Sequence, residues 1–129
     1  MELLETSYLV DYVKGREVAR TYFEDHEHEV LSASTISMFE LAFGVAWDGD
    51  RDVRDLRESL GWVDFLDFSA SDALEAATIQ SELQSAGDRI PIGDVMIAGV
   101  ARNRGATLVS ADGHYERIDG LAVESHRPE

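Results

Sequence analysis

The stretch that decides the fold is "IPIGDVMIAGVARNRGATLVSADGHYERI", residues 90–118. Its first half is typical of a helix that begins at residue 93 or 94 and ends at Gly105. The apolar segment "TLVSA" follows, and such a short run is typical of a fully buried strand. The pattern therefore predicts a helix and then a buried strand, with Asp94 at the start of the helix and Asp112 just after the strand.

The same alternation extends through the rest of the chain. Apolar periodicity, capping residues and glycine stops predict five strands, at Glu2–Leu4, 29–33, 62–68, 107–111 and 121–126. The helices between them are predicted at 7–15, 16–25, 35–47, 50–60, 71–86 and from 93 or 94 to 103 or 104. Strands that alternate with helices predict an α/β fold with a mostly parallel central sheet and helices on both faces.

Length and composition limit the classes of protein that need consideration. A chain of 129 residues with 44% hydrophobic content predicts a single domain, residues 1–129. No stretch approaches the roughly 18 to 20 apolar residues that span a bilayer, and "MELLETS" lacks the features of a signal peptide. We therefore expect a soluble cytoplasmic protein without a membrane partner. Because the chain has no cysteine, any metal site must use oxygen or imidazole ligands.

The charge balance is strongly acidic. Twenty-six acidic residues face 11 basic ones, the net charge is -15, and Lys14 is the single lysine. Acidic residues spread along the chain favour a solvated shell suited to molar salt, as in a haloarchaeal cytoplasm, where the Debye length is only about 3 Å. The alternative is an acidic mesophilic protein with a basic partner. The sequence has no basic patch of the kind that binds nucleic acid.

Four acids are predicted near the carboxyl ends of parallel strands. Ligands of open α/β sheets bind at that edge, so side chains that follow different strands can converge there. If several carboxylates do meet, their repulsion requires a compensating cation. Oxygen ligands favour Mg²⁺ or Mn²⁺, which can polarise a phosphate and activate a bound water for attack on phosphorus, as in a nuclease. The four acids are Glu5, Glu40, Asp94 and Asp112.

Each acid also has a structural explanation. Asp94 is placed to cap a helix, and Asp112 before a glycine is typical of a turn. Glu40 lies in an apolar helical segment, and a buried carboxylate needs a partner. If Glu40 has only a structural role, the expected partner is an arginine. Asp11, about two turns after Glu5, is a further candidate, with a solvent-facing helical position as its alternative.

The histidines give a weaker signal. The pair His26 and His28 lies in an acidic loop and is typical of solvated surface, while His114 and His126 are isolated in the sequence. The chain contains none of the glycine-rich phosphate loops, serine elbows or paired-histidine zinc motifs that identify other enzyme classes.

Four motifs in order resemble the PIN-domain family and, within it, the VapC-type ribonuclease toxins of toxin-antitoxin pairs. The family's opening "LDTSxLxD" is matched by "LETSYLVD" at 4–11, and its "T-x-x-x-x-EL-x-x-G" by "TISMFELAFG" at 35–44. Its "D-x-x-IA-x-x-A" is matched by "DVMIAGVA" at 94–101, and its closing "LVTxD-x-x-F" by "LVSADGHY" at 108–115. Together the motifs cover nearly the full chain.

The resemblance implies an endoribonuclease that depends on Mg²⁺ or Mn²⁺, is inhibited by a cognate antitoxin and forms a homodimer. By position, the acidic quartet would be Glu5, Glu40, Asp94 and Asp112, with metal contact most expected at positions 5 and 94. Residues that would support these acids are Thr6, Ser110 and Asp11. Candidate contacts to the RNA backbone are Arg51, Arg54, Arg57, Arg89, Arg102 and Arg104.

The sequence departs from the family pattern at its first acid, which is usually aspartate and here is Glu5. The extra methylene moves the carboxylate by about 1.5 Å on an unchanged backbone. A second hypothesis is therefore a non-catalytic PIN-like module that binds an antitoxin or RNA. A phosphoacceptor receiver domain is disfavoured, because that site needs a lysine near the phosphate and Lys14 lies in the wrong element.

Overall fold

The computed structural model describes residues 1–49 and 51–128. The strands in these residues are β1 (Glu2–Leu4), β2 (Leu31–Ser34), β3 (Asp64–Leu66), β4 (Thr107–Val109) and β5 (Ala122–Glu124). They form one sheet in the order β3-β2-β1-β4-β5, and all four pairings between them are parallel. The predicted α/β fold with a parallel sheet is confirmed.

Helices cover both faces of this sheet, as predicted. They are α1 (Thr6–Val13), α2 (Glu17–Asp25), α3 (Thr35–Asp48), α4 (Val53–Ser59), α5 (Ala70–Ser85) and α6 (Ile92–Arg104). A short 3₁₀ helix at Gly113–Arg117 follows β4. In the described residues no helix is long and apolar enough to cross a membrane.

The central strand shows how the sequence divides the core into two halves. Side chains alternate across a strand, so Leu3 packs with α5 and α6 while Leu4 packs with α1 to α4. Leu108 and Val109 of β4 repeat this division. Both faces of the sheet are therefore buried at β1 and β4, where two apolar residues follow each other directly, as is typical of a central parallel strand.

Several predicted boundaries were wrong by a few residues. The predicted strand at 29–33 begins at Leu31, where pairing with Glu2 of β1 starts, and Val30 before it is exposed. The strand continues to Ser34, whose hydroxyl caps α3. The strands predicted at 62–68, 107–111 and 121–126 are shorter, because only three residues of each pair with a neighbouring strand. The helix predicted at 50–60 begins at Val53 behind the cap Asp52, and Asp50 lies outside the described residues.

Candidate metal centre

The strand order creates a crevice at the carboxyl ends of β1 and β4. The chain adds β2 and β3 on one side of β1 and then β4 and β5 on the other, so the order reverses between β1 and β4. Ligands of open parallel sheets bind at such a point. Leu4 is paired with Val109, and the residues that follow them, Glu5 and Ser110, are neighbours in the crevice.

Glu5 is held rigidly although it is one methylene longer than the expected aspartate. Its Oε1 accepts a 2.6 Å hydrogen bond from the Ser110 hydroxyl and a 3.1 Å bond from the Ser7 backbone N–H. The second bond makes Glu5 the N-cap of α1, and only 3% of the residue is exposed. The Ser7 hydroxyl in turn accepts the N–H of Ala111. The two loops that carry Glu5 and Ser110 are therefore joined to each other.

Glu40 approaches the same crevice from α3. Its Oε1 accepts a 2.6 Å hydrogen bond from the Thr6 hydroxyl, so the expectation of an arginine partner is wrong. Its Oε2 lies against Gly93, where any Cβ would collide with it. Burial raises the pKa of Glu40 above its ordinary value. The hydrogen bond from Thr6 opposes this rise, whereas the charges of Asp94 and Glu5 add to it.

Asp94, Asp112 and His114 form a compact group of possible metal ligands. One ligand atom from each lies within 4.8 Å of the other two. The His114 Nδ1 is 2.9 Å from Oδ2 of Asp94 and 3.1 Å from Oδ1 of Asp112. The prediction that His114 is isolated was therefore wrong. The sequence shows that His114 lies two residues after Asp112, but not the 3₁₀ turn that directs its ring at Asp112 and Asp94.

The structural interpretations of the two aspartates hold only in part. The N-cap of α6 is Pro91, and Asp94 lies in the first turn with its Oδ2 directed at His114. Asp112 does cap the following 3₁₀ helix, because its Oδ1 accepts the backbone N–H of His114 at 2.9 Å. Asp94 is buried and Asp112 half-buried. Both carboxylates are thus placed at the crevice, and Asp112 also caps the local backbone.

A buried phenol lies near enough to all four acids for their charges to act on it. Tyr115 is fully buried, and its hydroxyl has no hydrogen-bond partner among the described residues. Burial raises the pKa of Tyr115 strongly, and the carboxylates raise it further. The acids that act on this one hydroxyl are Glu5, Asp94, Glu40 and Asp112.

The donor set suits a divalent cation. In the described structure the partners of the four carboxylates are hydroxyls, backbone N–H groups and one imidazole, so most of their negative charge is left uncompensated. Hard oxygen donors favour Mg²⁺ or Mn²⁺. Burial is the main cause of the raised pKa of Glu40, and the negative charges of Asp94 and Glu5 add to it. A cation would oppose the part that these two charges contribute.

Asp11 lies apart from this group, in a second buried cluster. The residue is fully buried, so the solvent-facing alternative is wrong. Its carboxylate accepts hydrogen bonds from Arg16, His126 and Arg127, all between 2.8 and 2.9 Å. Burial by itself raises the pKa of Asp11, but the bonds from Arg127 and His126 outweigh it and lower the pKa to about 2.

This second cluster corrects two sequence interpretations. His126 is not isolated, because its Nε2 lies 2.8 Å from Asp11 and its ring packs edge-on against Tyr8. The contacts of Asp11 attach the C-terminal segment to α1, and the hydrogen bonds described for it do not reach the crevice acids. Its geometry supports the fold and gives no support to the role beside the metal that was expected for it.

Comparisons with known proteins agree with the fold and with the motifs. The profile of the PIN domain family matches residues 3–121. The chain is 27% identical over 126 residues to the tRNA(fMet)-specific endonuclease VapC of Shigella flexneri, and the match covers 95% of each protein. It is 26% identical over 124 residues to ribonuclease VapC5 of Mycobacterium tuberculosis, covering 93% of this chain and 89% of that protein.

A solved structure extends the likeness to three dimensions. The DNA-bound VapBC structure from Salmonella typhimurium contains a chain that superimposes with a TM-score of 0.82 at 26% identity, covering 98% of both chains. The resemblance that four short motifs indicated is therefore confirmed along nearly the whole sequence.

Proposed function

Because the chain belongs to the PIN domain family, we propose that it is a metal-dependent endoribonuclease and the toxin of a type II toxin-antitoxin pair. The observation that carries this proposal is the group formed by Asp94, Asp112 and His114, whose ligand atoms lie within 4.8 Å of one another. Glu5 and Glu40 bring two further carboxylates to the same crevice. The similarity to ribonucleases of the VapC type supports RNA as the substrate.

The crevice residues divide the work in the proposed reaction. Asp94 and Asp112 would hold the cation, with Glu5 and Glu40 next to them. A bound divalent cation would polarise the phosphate of the substrate and lower the pKa of a bound water. Ser110 and Thr6 fix the carboxylates of Glu5 and Glu40 through 2.6 Å bonds, so these acids need little rearrangement when substrate arrives.

A cavity beside Glu40 offers a path for the RNA strand. It has a volume of about 410 Å³ and lies between α1 and α3, with Glu40, Lys14 and Arg51 in its wall. The rest of the wall is Asp48 and mainly apolar residues, so Lys14 and Arg51 are the two side chains that would contact phosphates. High salt weakens the general repulsion of RNA by the net charge of -15.

Two of the arginines proposed for RNA contact from the sequence are engaged elsewhere. Arg102 binds Glu75 at 2.7 Å and Glu82 at 3.0 Å, and only 15% of its side chain is exposed. Arg104 binds the fully buried Asp72 at 2.9 Å. Each of these two arginines stabilises the packing of α5 on α6, so neither is included in the proposed RNA contacts.

The proposal includes association with an antitoxin and with a second copy of the chain. The antitoxin partner is supported by the similarity to the VapBC structure from Salmonella typhimurium. Self-association is supported by a ridge on α3 formed by Phe39, Phe43 and Trp47, which are 67%, 59% and 80% exposed and lie ring against ring. Light scattering of Trp47→Ala against the wild type tests this part, and a wild-type monomer contradicts it.

The experiment that tests the enzyme is RNA cleavage by the purified protein, free of antitoxin and in high salt, with Mg²⁺, with Mn²⁺ and with EDTA. We expect cleavage with metal, none with EDTA, and a loss of at least about a hundredfold in Asp94→Asn. Asp88→Asn serves as the matched control because Asp88 is an exposed aspartate outside the crevice. Cleavage by Asp94→Asn at the wild-type rate would contradict the proposed site.

The same experiment separates the enzyme from a non-catalytic module. If neither metal supports cleavage while RNA or antitoxin still binds, the protein is a binding module and Glu5 belongs to an altered site. The geometry favours the enzyme, because Glu5 is held by Ser110 and Ser7 in the same crevice as the other acids.

A further inference from the structure

We propose that His114 supplies a nitrogen ligand to the cation and thereby biases the centre towards divalent transition metals such as Mn²⁺ and away from Mg²⁺. This inference rests on the proposed function, since it concerns the ion of the same centre. It concerns a side chain that the four-acid pattern does not contain.

The position of the ring is the first observation. The His114 Nδ1 lies 2.9 Å from Oδ2 of Asp94 and 3.1 Å from Oδ1 of Asp112. On an octahedral ion with metal-ligand bonds of about 2.0 to 2.1 Å, neighbouring donor atoms are about 3 Å apart. The nitrogen is therefore spaced from both carboxylates as a neighbouring ligand of one ion would be.

The second observation is that the backbone of His114 is fixed at this place. Its backbone N–H donates to Oδ1 of Asp112 at 2.9 Å, and the next residue, Tyr115, is fully buried and anchors the 3₁₀ turn. His28 provides the contrast, because its side chain is 96% exposed and its nearest carboxylate, on Glu27, is 3.9 Å away. His114 belongs to the built crevice, whereas His28 is a surface histidine.

The chemistry of imidazole gives the direction of the bias. Mg²⁺ prefers oxygen ligands and loses its water reluctantly, so a nitrogen contributes little to its binding. Imidazole binds first-row transition metals, with an affinity that is lowest for Mn²⁺ and rises towards Cu²⁺. One imidazole among carboxylates therefore favours these metals over Mg²⁺, and Mn²⁺ is the member of the series that also suits the carboxylates. A neutral imidazole also adds a ligand atom to the centre without adding negative charge.

The test measures metal binding without RNA, using MnCl₂ and MgCl₂ with wild type, His114→Asn and the control His28→Asn. Pulsed electron paramagnetic resonance of bound Mn²⁺ should show coupling to a ¹⁴N nucleus in the wild type and in His28→Asn, and none in His114→Asn. Calorimetry should show that His114→Asn weakens Mn²⁺ binding by about tenfold or more while Mg²⁺ binding changes by less than about threefold.

The spectrum of the wild type decides the inference even if His114→Asn does not fold, which circular dichroism would reveal. Mn²⁺ that binds without nitrogen coupling overturns the role of His114, and so does an equal loss of Mn²⁺ and Mg²⁺ affinity in a folded variant. Either result leaves the enzyme proposal standing if the wild type still cleaves RNA. Absence of binding by both ions overturns both proposals together.

Discussion

The hydroxyl of Ser110 donates a 2.6 Å hydrogen bond to Oε1 of Glu5, across the carboxyl ends of the two central strands. Ser110 is itself held, because its oxygen also accepts the backbone N–H of Asp112 at 2.9 Å. One serine thus connects the acid that follows β1 with the acid that follows β4. This link fixes the longer glutamate in the crevice where the family pattern has aspartate.

Replacement of Ser110 by alanine should weaken Mn²⁺ binding by about tenfold, because Glu5 loses the group that orients it. The measurement is isothermal titration calorimetry, with thermal unfolding as the check on the fold. Ser81→Ala, at an exposed position of α5, is the matched control. Equal Mn²⁺ affinity in Ser110→Ala and Ser81→Ala would show that the Glu5 carboxylate is not part of the centre.

Metal binding should strengthen as the pH rises through the raised pKa of Glu40. A carboxyl with a pKa above its unfolded value destabilises the fold once it is ionised, and a bound cation removes that cost. The increase in melting temperature caused by Mn²⁺ should therefore be larger at about pH 7.5 than at about pH 4.5. Glu40→Gln should reduce this pH dependence, and an unchanged dependence in Glu40→Gln would contradict the assignment.

Gly93→Ala should disable the centre while leaving the fold nearly intact. A Cβ at Gly93 would collide with Oε2 of Glu40, the carboxylate oxygen that Thr6 does not hold. The carboxylate lies at the far end of a flexible side chain, so it can be displaced at the cost of its hydrogen bond to Thr6 while the backbone stays in place. RNA cleavage should then fall about as far as in Glu40→Gln. Gly44→Ala is the control for the fold, because a Cβ there meets nothing within 4 Å and should stabilise α3 by up to about 1 kcal/mol. The control for cleavage is Asp88→Asn, because Gly44 lines the cavity beside Glu40.

The cluster around Asp11 should lose its stabilising effect in acid. The folded-state pKa of about 2 lies below the unfolded value, so the stability is fully present above about pH 4 and disappears as the pH falls through about 2. The wild type should be more stable than Asp11→Asn, and this difference in the free energy of unfolding should fall by about 2 kcal/mol as the pH is lowered through this range. Urea unfolding at several pH values measures it, and a difference independent of pH would contradict the ion pairing with Arg127.

Local sequence signals predicted most of the fold. The alternation of apolar strands and capped helices gave the element order, and four motifs placed Glu5, Glu40, Asp94 and Asp112 at one edge of the sheet. The ends of the strands were not predicted correctly, because they depend on where pairing with a neighbouring strand stops. The last pair between β1 and β4, for example, is Leu4 with Val109.

Contacts that depend on folding in three dimensions were not predictable. The position of the His114 ring depends on a 3₁₀ turn, and the sequence did not indicate that this turn would direct the ring at Asp94. Asp11 and His126 are 115 residues apart, so their bond depends on where the end of the chain docks. Both failures concern histidines whose partners come from other elements of the fold.

The most direct test of the central claim is the chemistry of the RNA ends that the protein leaves. Metal-dependent attack by water predicts that cleavage requires Mn²⁺ or Mg²⁺, and that it persists at a scissile nucleotide whose 2′-hydroxyl is replaced by hydrogen. Mass spectrometry of the products would then show no 2′,3′-cyclic phosphate. Cyclic phosphate ends, or cleavage that continues in EDTA, would contradict a metal centre built on Asp94 and Asp112.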